Sequence, residues 1–430
     1  MKILVITNHY WPEEFKITEL AENLVAKGHE VTVMSGIPNY PAGKFFPGYG
    51  LFSKRKEEKN GVKIHRMPLI PRGSGRRRWL ILNYLSSAMS FCIHSLWYGR
   101  KKYDATFVFN TSPALIGLPA LVIRKLYGTP VVMWVLDLWP ESISATAAIQ
   151  KPFILNSIRR MMRSIYKRCD KILISSRGFE DSIRQIGGYE SEYVYFPNWI
   201  DQPNAESPAP TDLPKLPEGF KIVFTGNIGA AQDFGTVLEA AEKLKARRDL
   251  HWVIVGEGRK AQWLQDEVQR RGLEHCFHLP GRFPVTAMPY FQQNADAFLL
   301  TLKSAPIFAL TVPRKLQAYL AAGKPVIASI AGEGAALVDD AKAGVTCAPQ
   351  SPDQLAAAIT RLLEMPPEKR RELGENGRDY CEQHFNPETV FGRLDDVLEE
   401  LTGKKPITDV ARAAAKPVSD DVEPFIAKAS

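Results

Sequence analysis

Lys221-Ile-Val-Phe-Thr-Gly-Asn-Ile-Gly229 decides how the rest of the chain is read. A β-branched and aromatic run breaks into a glycine loop. Helical periodicity over 233–247, a strand at 252–255 and a helix at 259–271 follow, and further units continue through Val345. Strand, tight loop, helix and strand in succession mark a parallel sheet covered on both faces. The same alternation fills the first 200 residues, with strands near 2–7, 30–35, 62–66, 104–109, 130–135 and 170–175 and the first helix at 14–27. Between the two series, Asp201 to Gly219 holds five prolines and no apolar period, so it reads as a linker.

The predicted class is α/β, with two doubly wound, Rossmann-like parallel-sheet domains over 1–200 and 220–378. Helical patterns at 353–365 and 367–400 close the chain, those of 379–402 being expected to pack back on the first domain. Residues 403–430 mix Lys, Pro, Ala and Asp without a core face and are expected to be disordered. Ligands of open α/β sheets bind beyond the carboxyl ends of the strands, so the two strand edges are the default site.

Charge is unevenly spread. Residues 1–200 carry 28 Lys and Arg against 15 Asp and Glu, and the remainder 27 against 32. A basic front half suits an anionic partner such as phospholipid headgroups, or is simply a solvated surface. Nucleic acid is disfavoured, because the cations flank an apolar segment rather than interleave with aromatic platforms. That segment, Trp79 to Gly99, has no charged residue and lies between Arg76-Arg77-Arg78 and Arg100-Lys101-Lys102. Its polar residues, Asn83, Ser86, Ser87, Ser90, His94 and Ser95, argue against a free-standing membrane span. The favoured expectation is a helix partly buried in the first domain, the alternative an element lying on a membrane surface. Five cysteines without C-x-x-C spacing indicate neither zinc nor a disulfide framework, and no secretory signal is visible. A reducing, cytoplasmic setting is expected.

The glycines of Gly226-Asn227-Ile-Gly229 and of Gly256-Glu-Gly258, each following a strand, let backbone approach a ligand closely. Thr311-Val-Pro-Arg-Lys-Leu-Gln-Ala-Tyr-Leu-Ala-Ala-Gly-Lys-Pro325 reads as a helix with Pro313 in its first turn and Gly323 at its end. Arg314 and Lys315 then oppose the helix dipole, at a cost of roughly 0.3 to 1 kcal/mol each, unless an anion such as a diphosphate sits there. In the first half, Asp137-Leu-Trp-Pro-Glu141-Ser142 sets carboxylates beside apolar rings, a combination suited to sugar hydroxyls and sugar C–H faces. The first strand ends similarly in Thr7-Asn-His9-Tyr-Trp-Pro-Glu13-Glu14, without the G-x-G-x-x-G of a dinucleotide site. An NAD-linked oxidoreductase is therefore disfavoured.

With these motifs the chain resembles family four of the glycosyltransferases, of the GT-B fold, and more closely its WbuB-like branch of polysaccharide and O-antigen transferases. The resemblance covers roughly residues 1–400. It rests on Gly36-Ile-Pro-Asn-Tyr-Pro-Ala-Gly-Lys44, Asp137 to Ser142, Gly226 to Gly229 and Lys315 to Pro325. It implies a retaining transferase without an obligatory metal or other cofactor, and the absence of a D-x-D motif agrees. Donor is expected in the second domain and acceptor in the first. The chain departs from the family at Leu136, where a His is common, and at Leu310 and Ala318, where a Glu pair is usual. Asn227 and Ala231 stand where Arg and Lys are usual.

The expected donor-side set is accordingly Arg314, Lys315, Gly226, Asn227, Gly229, Gly256, Gly258 and Thr311, with Gln317 the candidate in place of the ribose-binding Glu. Asp137, Lys315 and Arg314 are expected to be catalytic, and His9, Glu13 and Glu141 to meet the acceptor. The implied partners are a nucleotide-sugar donor, with UDP-N-acetylfucosamine the type suggested, and a polyprenyl-diphosphate-linked glycan at the inner face of the plasma membrane. A sugar-nucleotide epimerase on the same fold and a catalytically silent nucleotide-sugar-binding subunit are the competing readings.

Overall fold

The computed structural model describes residues 1–145, 151–187, 192–200 and 212–404. Most of the linker and nearly all of the predicted tail therefore lie outside the described residues. The strands of the first sheet are β1 (Lys2–Thr7), β2 (Glu30–Gly36), β3 (Lys56–Lys59), β4 (Val62–Met67), β5 (Ala105–Asn110), β6 (Val131–Val135), β7 (Lys171–Ile174) and β8 (Tyr193–Tyr195). Those of the second are β9 (Phe220–Thr225), β10 (Leu250–Val255), β11 (Phe277–Gly281), β12 (Ala297–Thr301), β13 (Val326–Ser329) and β14 (Gly344–Cys347). The order is β3-β4-β2-β1-β5-β6-β7-β8 in the first and β11-β10-β9-β12-β13-β14 in the second. Both are doubly wound, as the alternation predicts.

Helices among the first sheet's strands are α1 (Lys16–Ala26), α2 (Arg77–Tyr98), α3 (Leu118–Tyr127), α4 (Glu141–Ala145), α5 (Pro152–Tyr166) and α6 (Phe179–Gly187). The second set comprises α7 (Phe234–Lys243), α8 (Ala261–Arg270), α9 (Met288–Asn294), α10 (Pro306–Leu310), α11 (Arg314–Ala321) and α12 (Glu333–Asp340). Three more, α13 (Pro352–Glu364), α14 (Pro367–Phe385) and α15 (Pro387–Thr402), end the described chain. The single helical pattern over 367–400 is thus two helices. Pro387 cannot continue an incoming helix and begins the next one.

Central strands are mostly apolar because helices cover both faces: every residue of β5, β6 and β12 is buried. Polar side chains appear where the strands stop, at Thr7, Ser35, Asn110, Thr301 and Ser329, all buried at the carboxyl edges. β3, the one antiparallel edge, reads Lys-Glu-Glu-Lys and is charged along its length. Charges on an edge strand discourage pairing with other chains; without apolar periodicity, the sequence did not announce it as a strand.

Contacts divide the chain into Met1–Val132 with Asp395 onward, and Met133–Leu394. The division lies within β6, not at the predicted linker. In the first unit the end of α15 is held to the sheet: Lys27 pairs with Asp395, and Lys404 with Asp104 at 2.6 Å. In the second unit Trp134 is fully buried, donates its indole N–H to the Phe196 carbonyl at 2.9 Å and stacks on Trp199, which meets Phe391 of α15. Replacing Trp134 with Ala is expected to cost about 3–5 kcal/mol, read as a lowered thermal or urea midpoint.

Candidate functional site

In the second unit the carboxyl ends of β9 and β10 carry two glycine loops laced together by backbone. Gly226 N–H donates to the Val255 carbonyl at 2.9 Å, and Ile228 N–H to that of Glu257 at 2.7 Å. Gly256 has φ +148°, and a Cβ there would lie 1.9 Å from the Gly226 carbonyl oxygen. Only glycine allows the two loops to touch. Gly226 and Asn227 are exposed at the surface of this layer, Gly256 and Gly258 half-buried, and Gly229 is buried beneath the Asn227 amide.

Helix α11 approaches the same edge. Its first residue is Arg314, Pro313 being its N-cap, one residue later than the sequence suggests, and Gly323 ends it in the left-handed region as expected. Lys315 and Tyr319 are four residues apart and so share a face. Tyr319 is buried, stacks on Phe298 with centroids 4.3 Å apart, and its hydroxyl accepts the Thr225 N–H at 2.8 Å. That anchor fixes the helix against the end of β9.

One turn earlier, the Lys315 Nζ reaches over the Phe224 ring at 3.9 Å from its centroid and lies 3.2 Å from where a Gly226 Cβ would stand. The ammonium is buried and has no hydrogen-bond partner among the described residues. Burial without a counter-charge pulls its pKa down from the ordinary 10.5 to about 8. Arg314, beside it, is exposed. A buried cation under an exposed glycine surface can receive an anion with little rearrangement.

The other expected donor-side residues are engaged with the protein. Thr311 donates its hydroxyl to the Ile307 carbonyl at 2.8 Å and so shapes the junction of α10 and α11. Gln317 is buried, and its amide donates to the Asn198 carbonyl at 2.7 Å, anchoring α11 to the segment after β8. Beyond β12 and β13, a cavity of about 240 Å³ is bounded by Lys303, Ser304, Pro306, Phe308 and Ile330. Asp137 is half-buried in the loop after β6. Glu141 begins α4; its Oε2 is shut off from solvent without a hydrogen-bond partner, and burial pushes its carboxyl above the usual range, against the pull of Arg159 and Ser182.

In the first unit, His9 and Glu13 meet. His9 Nδ1 and Glu13 Oε2 are 2.7 Å apart, and the imidazole stacks on Phe15 at 4.6 Å and against Tyr40. Glu13 Oε1 accepts the backbone N–H groups of Asn39 at 2.7 Å and Tyr40 at 2.6 Å. Buried and bonded through both oxygens, Glu13 is a clamp rather than a direct acceptor contact. It sets the His9 ring and ties the Gly36–Lys44 loop to the end of β1. Asn39 and Tyr40 as its partners were not foreseen; two backbone amides leave no mark in a residue pattern. No group of three metal-ligating side chains gathers among the described residues.

Comparison with known proteins agrees with this architecture. Residues 15–199 match the glycosyl transferase 4-like domain, and residues 209–380 the glycosyl transferases group 1 family. Two doubly wound sheets carrying these two domains in this order define the class: the chain is a glycosyltransferase of the GT-B fold. It is 27% identical to WcaI of Escherichia coli K12, described as a colanic acid biosynthesis glycosyl transferase, over 91% of this chain and 98% of that one. In fold it is similar to sucrose-phosphate synthase of Thermosynechococcus elongatus, with TM-score 0.70 and 17% identity over 94% of this chain and 99% of the other. It is likewise similar to HepE of Anabaena in complex with UDP, with TM-score 0.66 and 16% identity over 93% and 100%.

Glu13→Ala would leave two buried backbone donors without an acceptor, at about 1–3 kcal/mol each. The expected outcome is a loosened 37–44 loop, seen as faster amide exchange there, and reduced acceptor-dependent turnover with nucleotide affinity unchanged.

Proposed function

We propose that this chain moves a sugar from a nucleotide diphosphate to a lipid-linked or polysaccharide acceptor in cell-surface glycan biosynthesis, with retention of configuration. The buried Lys315 ammonium, without a partner and set under the Gly226 loop, carries the reading. A cation is stable in such a place when an anion completes it, and the departing diphosphate is that anion. Arg314 adds a second positive charge, and the backbone of Gly226, Asn227, Gly229, Gly256 and Gly258 allows close approach. Charge stabilised in this way calls for no metal ion.

HepE, similar in fold, has been solved with UDP, and WcaI is described by colanic acid, a polysaccharide; both support a UDP-sugar donor and a glycan acceptor. An N-acetylated deoxy-amino sugar is the proposed donor sugar, on the resemblance of the motifs to WbuB-like transferases. Retention places departure and attack on one sugar face, so the departing β-phosphate takes the acceptor hydroxyl's proton. Preorganised charge and correct placement then do most of the catalysis. His9, held by Glu13, and Asp137 orient the hydroxyls of acceptor or donor sugar. The acceptor is a polyprenyl-diphosphate-linked glycan at the anionic inner face of the plasma membrane, in keeping with the basic front half of the chain.

The test is nucleotide-diphosphate release from UDP-, GDP- and dTDP-sugars, with and without polyprenyl-linked acceptor. One donor is expected to release only with acceptor, and Lys315→Ala to lower that turnover about 100-fold or more, the loss typical of one preorganised charge, while leaving the fold intact. Near-normal activity in Lys315→Ala removes the proposal.

The same lysine makes binding pH-dependent. Its pKa of about 8 in the free protein rises when the diphosphate arrives, so binding takes up a proton above pH 8. UDP affinity is expected to be flat from about pH 7, above the ionisation of the terminal phosphate at about pH 6, to about pH 8, and to fall by up to about tenfold per pH unit beyond that. Calorimetry in buffers of different ionisation enthalpy measures both the fall and the proton uptake.

A further inference from the structure

Helix α2 is built inside out. Its buried residues are Asn83, Ser87, Ala88, Ser90, Phe91 and Ser95, mostly polar. On the opposite side, Leu82, Leu85, Met89, Ile93 and Leu96 recur at three- and four-residue spacing and are 40–64% exposed. Trp79 and Trp97 flank that stripe near its two ends, 37% and 59% exposed. The inward polar groups are used by the protein: Asn83 donates to the Ile70 carbonyl at 2.6 Å, and Ser87 to the Asn8 side chain at 3.1 Å. Polarity therefore faces the first unit and the apolar stripe faces away from it, the reverse of an ordinary surface helix.

The charges at the two ends of the helix all have one sign. Arg76, Arg77 and Arg78 stand exposed at its start, and Arg100, Lys101 and Lys102 at its end. From Lys59 to Tyr103 the chain has ten Lys and Arg and no Asp or Glu. A second copy seated on this face would bring cations against cations, since a two-fold contact pairs the same patch with itself. An anionic lipid leaflet meets both demands, acyl chains for the stripe and phosphates for the ends. The helix is about 33 Å long at 1.5 Å per residue, yet no helix among the described residues is long and apolar enough to cross a membrane. It would therefore lie in the plane of the surface.

We propose that α2 is the element by which this protein docks on an anionic phospholipid surface, stripe inward, with the two basic clusters on headgroups. The consequence for the site follows from Ser87 and Asn8. Asn8 directly precedes His9, so a helix laid on the leaflet holds the end of β1 close to that surface, where a lipid-linked sugar would be presented. Only this last step rests on the proposed lipid-linked acceptor; the docking rests on α2 itself.

The experiment is co-sedimentation of the full chain with vesicles of phosphatidylglycerol and phosphatidylcholine, against phosphatidylcholine alone, at low and high salt. The wild type is expected to bind the anionic vesicles, less at high salt, with a blue shift of tryptophan emission. The triple variant Leu85→Ser, Met89→Ser, Ile93→Ser is expected to partition about tenfold less or weaker, while its thermal midpoint and UDP affinity match the wild type. Equal vesicle binding by the variant, no binding by the wild type, or a wild-type dimer that the variant makes monomeric would each overturn the proposal. Vesicle binding by a wild type that releases no nucleotide from UDP-, GDP- or dTDP-sugars with polyprenyl-linked acceptor supports the docking and overturns the proposed donor and acceptor.

Discussion

A buried ammonium without a counter-charge is costly, and much of the second unit is arranged around one. Lys315 is held under the Gly226 loop because Tyr319, one turn later, is locked to the end of β9. The two glycine loops touch through backbone because neither carries a side chain there. Remove either constraint and the cation would swing to solvent, where its pKa would return toward the ordinary value. The fold thus stores an unbalanced charge at a strand edge, and that imbalance defines what can bind.

The first unit solves a different problem, positioning a loop that has little regular structure. Glu13 does so by accepting two backbone amides with one oxygen and engaging His9 with the other. A carboxylate expected to face a ligand is thereby consumed in holding the residue that can face one. Thr311 follows the same logic in the other unit, its hydroxyl donating to the Ile307 carbonyl at 2.8 Å. Gln317, bonded to Asn198, is a third polar residue drawn into scaffolding.

Much of the fold was legible in the sequence, because apolar strands alternating with helical periods permit few arrangements. Glycines after strands pointed to β9 and β10, and the Pro and Gly signals around Arg314–Ala321 located α11 within a residue. The edge strand β3 was missed, since Lys-Glu-Glu-Lys has no apolar alternation to detect. In α2 the sequence showed an uncharged, Ser-containing segment between basic clusters, but segment composition alone did not tell which face its serines take. The structure turns them inward.

What the sequence alone determined is therefore most of the elements, their order and the basic character of the helix start at Arg314 and Lys315, because periodicity and turn chemistry are local. The tertiary structure alone decided which groups are spent and which are available. Asn198 and Gln317 are 119 residues apart, and Glu13 and Asn39 are 26 apart; no local pattern encodes such pairings. Whether a charge is satisfied depends on what the folded chain brings beside it, and for Lys315 that is an aromatic ring and a glycine backbone, with no hydrogen-bond partner among the described residues.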